Sequence, residues 1–397
     1  MDSQLRLWTL GGYRFIFPSL WFRLTINFIC ADSCKNAPAL LETIFLHSHS
    51  HPLDINISTW CPQPYPSPCM QAFSVVLQHC RRWRHVVLRI ELYYLKETNI
   101  VKGNLPLLES LLLMDLTESQ YSPRKILPES DRTIFSSAPR LHKVALYKMH
   151  GLGDLELPRH VTHLAGCTTD LYRLETYQFL EECHLDTSMI PQDISHPNPI
   201  SLLRLRRLYV DSTSLLRHLH LPSLQHLTLE LVRVTSVLSD QDAFNLNDLL
   251  RRSHCQLDSL AVGPGMVSCP TFIQQSLSMM QSLLCLDITL RSTEDSFFNA
   301  LTASLAILPD LQRLHLRQST GVDLTSWNSL TSMIDSRRHT SSFHVIRVIA
   351  ASKYAVDSVN DQFIPYQEDG FDVTVGAEEP QELDGARITL ARLENSV

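Results

Sequence analysis

The sequence predicts an α/β solenoid, with a curved parallel sheet along one side and irregular helices and loops along the other. Three observations lead there. The first is a phrase, Leu221-Pro-Ser-Leu-Gln-His-Leu-Thr-Leu229, that recurs position for position as Leu105-Pro-Leu-Leu-Glu-Ser-Leu-Leu-Leu113 and Leu308-Pro-Asp-Leu-Gln-Arg-Leu-His-Leu316. Ala138-Pro-Arg-Leu-His-Lys-Val-Ala-Leu146 differs only by replacements that stay apolar. The second is the period inside the phrase. In Leu-x-x-Leu-x-Leu the last two leucines alternate with a variable residue, as on a strand. The third is Pro just ahead of that strand, where its missing N–H interrupts no ladder bond. One such strand is too short to bury its apolar side alone. Parallel stacking of copies gives each backbone group a partner and makes one continuous core.

The first core residue of each copy falls at Leu108, Leu141, Val161, Leu180, Leu205, Leu224, Leu257, Leu283 and Leu311, with gaps of 19 to 33 residues. Most gaps lie in or near the roughly 20–29 residues of leucine-rich repeats, and the longest imply a longer return limb. Two copies are weaker: Val161-Thr-His-Leu164, which continues into Ala165-Gly166, and Gln178-Phe-Leu-Glu-Glu-Cys-His-Leu185. Leucine-rich segments could instead be buried helices, but Pro two residues before the first core Leu argues against that.

Taken in order, residues 1–28 end in a strand, since Leu24, Ile26 and Phe28 alternate with Thr25 and Asn27. Pro52-Leu-Asp-Ile-Asn-Ile-Ser58 alternates in the same way. The loop Cys61-Pro-Gln-Pro-Tyr-Pro-Ser-Pro-Cys69 carries four prolines and is expected to be neither helix nor central strand. Phe73 to Cys80 reads as a short helix, and Arg81 to Ile90 ends as another strand. These are degenerate turns that close the open end of an array. Clear repeats follow to about Leu316. Leu324 to Ile334 reads as a helix ending at Asp335-Ser-Arg-Arg338. Phe343 to Ala350 and Phe371 to Val375 read as two capping strands. The expected divisions are 1–28, a remnant end of a preceding motif with the first strand; 29–104, degenerate N-terminal repeats with the Pro-rich loop; 105–335, the repeats; and 336–397, a C-terminal cap with an acidic tail.

A repeat array can run to 397 residues as one body. The net charge of −7 is concentrated: from Tyr366 onward eight carboxylates face two arginines, so this stretch holds −6 of it, and its final twenty or so residues are expected to be loose. Neither part has the basic stripe that nucleic-acid binding needs. Ten cysteines without paired short spacings, and no signal-peptide pattern, point to a reduced cytoplasmic or nuclear setting. Trp8 to Ile29 is apolar, but Arg14, Arg23, Gly11, Gly12 and Pro18 interrupt it, so no membrane span is expected.

With these residues laid out, the chain resembles the F-box/leucine-rich-repeat proteins abundant in mushroom-forming fungi. The resemblance is carried by Pro18-Ser-Leu-Trp21, Pro52-Leu-Asp-Ile-Asn-Ile57, Gln78-His-Cys-Arg-Arg-Trp-Arg-His-Val86, Gly103-Asn-Leu-Pro-Leu-Leu-Glu-Ser-Leu111, Leu185-Asp-Thr-Ser188, Leu249-Leu-Arg-Arg-Ser253 and Ser336-Arg-Arg338, in that order. In that family an N-terminal F-box grips the Skp-type adaptor of a cullin ubiquitin ligase, and the repeats hold the protein to be ubiquitinated. The resemblance implies that 1–28 holds the F-box end. Only seventeen residues precede Pro18, so at most the last helix of the motif is expected, and no adaptor-contact residue is carried over. The alternative is a stand-alone repeat scaffold or a truncated gene.

On each strand, the residues between the core leucines are expected on the concave face. They are Arg207, Tyr209 and Asp211; His226, Thr228 and Glu230; Ser259 and Ala261; Cys285, Asp287 and Thr289; Arg313, His315 and Arg317. Mixed charge with Tyr, His and Arg on a rigid platform suits an unknown protein partner. Other chemistry has little to rest on. His47-Ser-His-Ser-His51 near Cys30, Cys34, Cys61 and Cys69 has zinc-ligand types but loose spacing, and a surface turn explains it better. Neither a Gly-x-Ser-x-Gly elbow, a phosphate loop nor His-Glu-x-x-His occurs, so no catalytic residue and no cofactor are expected. A metal- or thiol-dependent hydrolase is the remote alternative.

Overall fold

The structure is a computed structural model that describes residues 22–28, 35–59, 67–91, 94, 100–116, 128–147, 155–167, 171–186, 198–229, 240–263, 265–290, 295–318, 327–338, 343–350 and 353–377. They fall into two compact units, one ending at Leu180 and the other beginning at Glu181.

The first unit holds six strands: β1 (Arg23–Phe28), β2 (Leu53–Thr59), β3 (Trp83–Ile90), β4 (Ser110–Asp115), β5 (Lys143–Tyr147) and β6 (His163–Cys167). Each pairs in parallel with the next. Parallel neighbours need a crossover. Here α1 (Ala37–His47), α2 (Ser67–Gln78) and the short α3 (Glu129–Arg132) lie in three of the connections. Leu41, Ile44 and Phe45 of α1 are buried at helical spacing, as are Phe73, Val76 and Leu77 of α2. Ile55, Ile57, Val86, Leu88 and Ile90 alternate along the strands and form the buried side of the sheet.

The second unit holds eight further parallel strands: β7 (Glu182–Asp186), β9 (Arg207–Val210), β11 (His226–Leu229), β12 (Ser259–Val262), β13 (Cys285–Leu290), β14 (Arg313–Gln318), β15 (Val345–Ala350) and β16 (Asp372–Ala377). A separate two-stranded pair joins β8 (Ile200–Ser201) to β10 (Leu219–His220). Its helices are α4 (Asp240–Ser253), α5 (Leu277–Met279, continuing a π-turn), α6 (Asp295–Ala303), α7 (Asn328–Arg337) and α8 (Lys353–Glu368).

All nine first core residues are buried, at 0–1 % exposure, and each stands two residues ahead of its strand. The recurring phrase closes the same turn in its copies. The amide of Leu108, Leu224 or Leu311 donates to the carbonyl three residues earlier, closing a β-turn with Pro at its second position. The carbonyl before each strand then accepts two amides from the next. That of Arg206 accepts from Gln225 and His226, that of Gln225 from Asp258 and Ser259, and that of Leu284 from Gln312 and Arg313. Pro is thus favoured for its fixed φ as well as for its missing donor.

The helices differ from the sequence reading. The Pro-rich loop was expected to exclude helix as far as Cys69, yet α2 opens at Ser67, because Pro in a first turn gives up an amide with no intrahelical partner. The α7 helix starts at Asn328 and runs through Arg337. Neither α1 nor α8 was anticipated. Pro365 inside α8 speaks against a helix, but Phe363 packs on Trp327 and Tyr366 on Phe371, at ring centroids 6.2 Å apart in each case. This burial outweighs the lost hydrogen bond.

Three arginines near helix ends do one job. Arg82 donates to the carbonyls of Phe45, Ser48 and His51 (3.3, 3.2 and 3.0 Å) and to Ser48 Oγ at 2.6 Å, closing the end of α1. Arg252 donates to Leu216 and Leu219 carbonyls at 2.7 and 2.9 Å. Arg337 donates to those of Leu301, Ser304, Ile307 and Leu308 at 3.1, 3.4, 2.6 and 2.9 Å. Each gathers carbonyls at the end of a helix or turn some 30 residues upstream, including ones such as those of Leu301 and Ile307 that continue no helical ladder.

Gly166 has φ +146°, and a Cβ there would overlap the carbonyl oxygen of Leu146 on the neighbouring β5. Gly166→Ala is therefore expected to cost about 1–3 kcal/mol in urea unfolding. Unchanged stability would contradict the close approach of these strands.

Candidate functional site

Alternation leaves each unit with a second sheet face whose side chains are not part of the core. In the second unit, Leu208, Leu227, Leu260, Leu286, Leu314 and Ile346 form a buried row in register. The residues on either side of that row point the other way. Arg207, His226, Ser259, Cys285 and Arg313 align across the strands in one rung, and Tyr209, Thr228, Ala261, Asp287, His315 and Arg347 in the next. Arg207 and Arg313 are exposed; Tyr209, His226, Thr228, Asp287, His315 and Arg317 are half-buried. The strands thus bring eight of the ten expected partner-binding residues onto one face. Asp211 stands just past the end of β9, and Glu230 lies outside the described residues.

At the β7 edge the face is internally paired. His184 stacks on Tyr209 with ring centroids 3.8 Å apart and planes at 15°. Its Nε2 lies 2.8 Å from Glu182 Oε1, and Arg207 reaches Glu182 Oε2 at 3.4 Å. Sequence reasoning missed Glu182 and His184 because they sit on one of the weak copies. The signal was present: Leu180 places both two and four residues into the repeat, where the expected outward residues stand elsewhere.

Towards β15 the charges are looser. His315 Nδ1 is 3.9 Å from Asp287 Oδ2, while Arg313 and Arg347 have no hydrogen-bonded or ion-paired side-chain partner among the described residues. Burial holds the His315 imidazole below its usual range; Asp287 opposes this, and Arg347, Arg313 and Arg317 add to it. Burial likewise lowers His226, helped by Arg207. Both rings are therefore neutral at pH 7 and offer hydrogen bonds without charge.

The first unit carries a hollow that the sequence reading did not single out. It measures about 310 Å³ and is lined from β1 to β5. Its floor is Val87, Leu112 and Ala145, which align in register with Asn56 on one side and Ala165 on the other. One rim is the rung Arg23, Asp54, His85, Ser110 and Lys143. A register shift between Leu53 and Asp54 brings Arg84 beside Asp54. The guanidinium grips both carboxylate oxygens at 3.0–3.1 Å, and Arg23 stands 3.8 Å away. His85 Nδ1 meets Ser110 Oγ at 2.9 Å, and burial keeps this ring below its usual range while Asp54 works against the shift. Arg89 binds Asn56 Oδ1 at 2.8 Å on the other side. The floor was legible as unbroken apolar triplets, Val86-Val87-Leu88, Leu111-Leu112-Leu113 and Val144-Ala145-Leu146, whose middle residue must face outward.

Burial raises the thiols of Cys80, Cys183 and Cys285, and that of Cys255 to about 11, which is opposite to what a nucleophile needs. Among the described residues no group of three or more His, Cys, Asp or Glu side chains could hold a metal ion. The Cys30, Cys34 and Cys61 candidates lie outside those residues, and His47 to His51 occupy the end of α1 and the turn after it. No helix among the described residues is long and apolar enough to cross a membrane. No protein-family model matches the chain, and no curated protein matches it.

Proposed function

We propose that the chain is a non-catalytic leucine-rich-repeat module that holds another protein on the outward, concave face of its sheet, as the substrate-recognition part of an F-box protein does. One observation carries the reading. In each unit regularly spaced aliphatic residues bury one face of a parallel sheet, while the opposite face presents Tyr, His and Arg in the second unit and an apolar hollow beside His and Arg in the first. Half-buried aromatic and Arg side chains of this kind are the usual anchors of a polypeptide partner. The raised thiols speak against the hydrolase alternative.

Two tests separate the parts of this reading. In a pull-down with the full chain, Arg207→Ala is expected to reduce the partner retained by about tenfold. Folding should survive, because Arg207 is exposed and its ion pair with Glu182 is of the kind worth at most about 1 kcal/mol. Equal retention by the variant would remove this face from the reading. Co-expression with a Skp-type adaptor tests the ligase link. Stable co-purification supports it, and its absence leaves a stand-alone repeat scaffold.

A further inference from the structure

We propose that Arg313 and Arg347, on the outward face of β14 and β15, form a clamp for two carboxylates of an extended acidic segment of the bound protein, with Asp or Glu at alternate positions; this rests on the polypeptide-binding reading above. Arg347 joins the face through the register of β15 on β14, which sets it beside His315. Arg313 lies opposite Val345, so the two arginines form a diagonal pair. With strands roughly 4.8 Å apart and a rise of about 3.3 Å per residue, their Cα atoms stand about 8 Å apart. Successive residues on one side of an extended segment are about 7 Å apart. One such segment laid along the face therefore sets a carboxylate against each guanidinium.

Both side chains are exposed, and neither guanidinium has a hydrogen-bonded or ion-paired partner among the described residues. That sets them apart from the other charges of this face. Arg207 reaches Glu182, Asp287 faces His315, and Arg317 already has a partner. Two further carboxylates stand nearby without answering them. Asp258 heads β12, two strands from Arg313, and Asp372 on β16 lies level with Val345; neither is ion-paired to Arg313 or Arg347. The ring of His315 registers the local balance, since it feels Arg347, Arg313 and Arg317 against Asp287 alone. An acidic segment supplies the missing counter-charge through two-pronged guanidinium–carboxylate bonds, which are stronger than neutral hydrogen bonds. A basic segment meets like charge there.

The test is selection of a random twelve-residue displayed peptide library on the immobilised full chain, followed by fluorescence anisotropy with the enriched peptide. The expected consensus carries Asp or Glu at two positions separated by one residue. Arg313→Gln and Arg347→Gln should each weaken its binding about tenfold, and added salt should weaken it further. Both variants should keep the urea midpoint of the unaltered chain, since each replaces an exposed side chain that holds no partner. Arg347→Glu should take a peptide with one acid changed to Lys in preference to the parent peptide, a reversal that direct contact produces. A consensus without paired acids, or an affinity untouched by both Gln variants, overturns the clamp. Acidic binding that arises only after removal of residues 378–397, which include Glu378, Glu379, Glu382 and Asp384, assigns the arginines to the chain's own carboxylates and overturns it too. A neutral consensus lost with Arg207→Ala leaves the polypeptide-binding reading standing without the clamp. No enrichment at all removes both.

Discussion

Arg337→Met is expected to destabilise the second unit by about 3–5 kcal/mol, read as a lower urea midpoint at unchanged slope. Arg337 is fully buried and donates to four carbonyls, those of Leu301, Ser304, Ile307 and Leu308. Two effects oppose each other. Removing the guanidinium relieves the cost of keeping a charge out of water, and burial does lower its pKa. Against this, the carbonyls of Leu301 and Ile307, at the end of α6 and in the turn before β14, lose their donor, those of Ser304 and Leu308 keep only the amides of Ile307 and Leu311, and no side-chain change can remove these acceptors. A buried ion pair can be replaced whole by apolar groups, but a carbonyl cannot, so the orphaned acceptors decide the sign. Leu308 sharpens the case, since its φ of +53° is a left-handed conformation that a branched side chain adopts only when held there. Arg337→Lys should recover little, because one ammonium cannot reach four carbonyls spread along a turn. Arg81→Ala is the comparison. Arg81 is exposed and, among the described residues, holds Asn104 alone at 3.2 Å, so its loss should stay within about 0.5 kcal/mol. Equal effects of Arg81 and Arg337 substitutions would sink the clamp.

These arginines also show where the sequence was legible. Leu224 and its counterparts were readable because burial in a parallel strand imposes a strict period, and a period survives variation at the other positions. The strand edges and their register follow from that alone. The Arg-Arg pairs at Arg81-Arg82, Arg251-Arg252 and Arg337-Arg338 were visible as phrases, but their role was not. The partners of Arg82, Arg252 and Arg337 include backbone carbonyls 29–37 residues away, and carbonyls leave no trace in a sequence. Helices α1 and α8 escaped for another reason. A helix covering a sheet needs only two or three buried residues, such as Phe363 and Tyr366, and that sparse pattern is masked by Pro365. The hollow escaped because attention went to outward polar residues, whereas its floor is built from outward apolar ones, Val87 and Leu112.

Leu227→Asp is expected to abolish folding of the second unit at neutral pH, while Thr228→Asp, one residue along the same strand, leaves it intact. Leu227 is 1 % exposed and stands in register between Leu208 and Leu260, both equally buried. Losing its burial costs about 2–5 kcal/mol, and an unpaired carboxylate in that row adds several more. The sum is comparable with the whole stability of a domain, roughly 5–15 kcal/mol, so partial loss is not the expected outcome. Thr228 faces outward beside Tyr209 and Ala261, where a carboxylate meets water, and a change within about 1 kcal/mol follows. The pair reads the register directly, because a slip of one residue exchanges the two faces of β11 and with them the two phenotypes. If Thr228→Asp were the damaging change, Arg207, Tyr209 and His226 would lie in the core and the outward face would hold no binding residues. If neither change mattered, the strand would not be part of a packed sheet, and the polypeptide-binding reading would lose the platform it stands on.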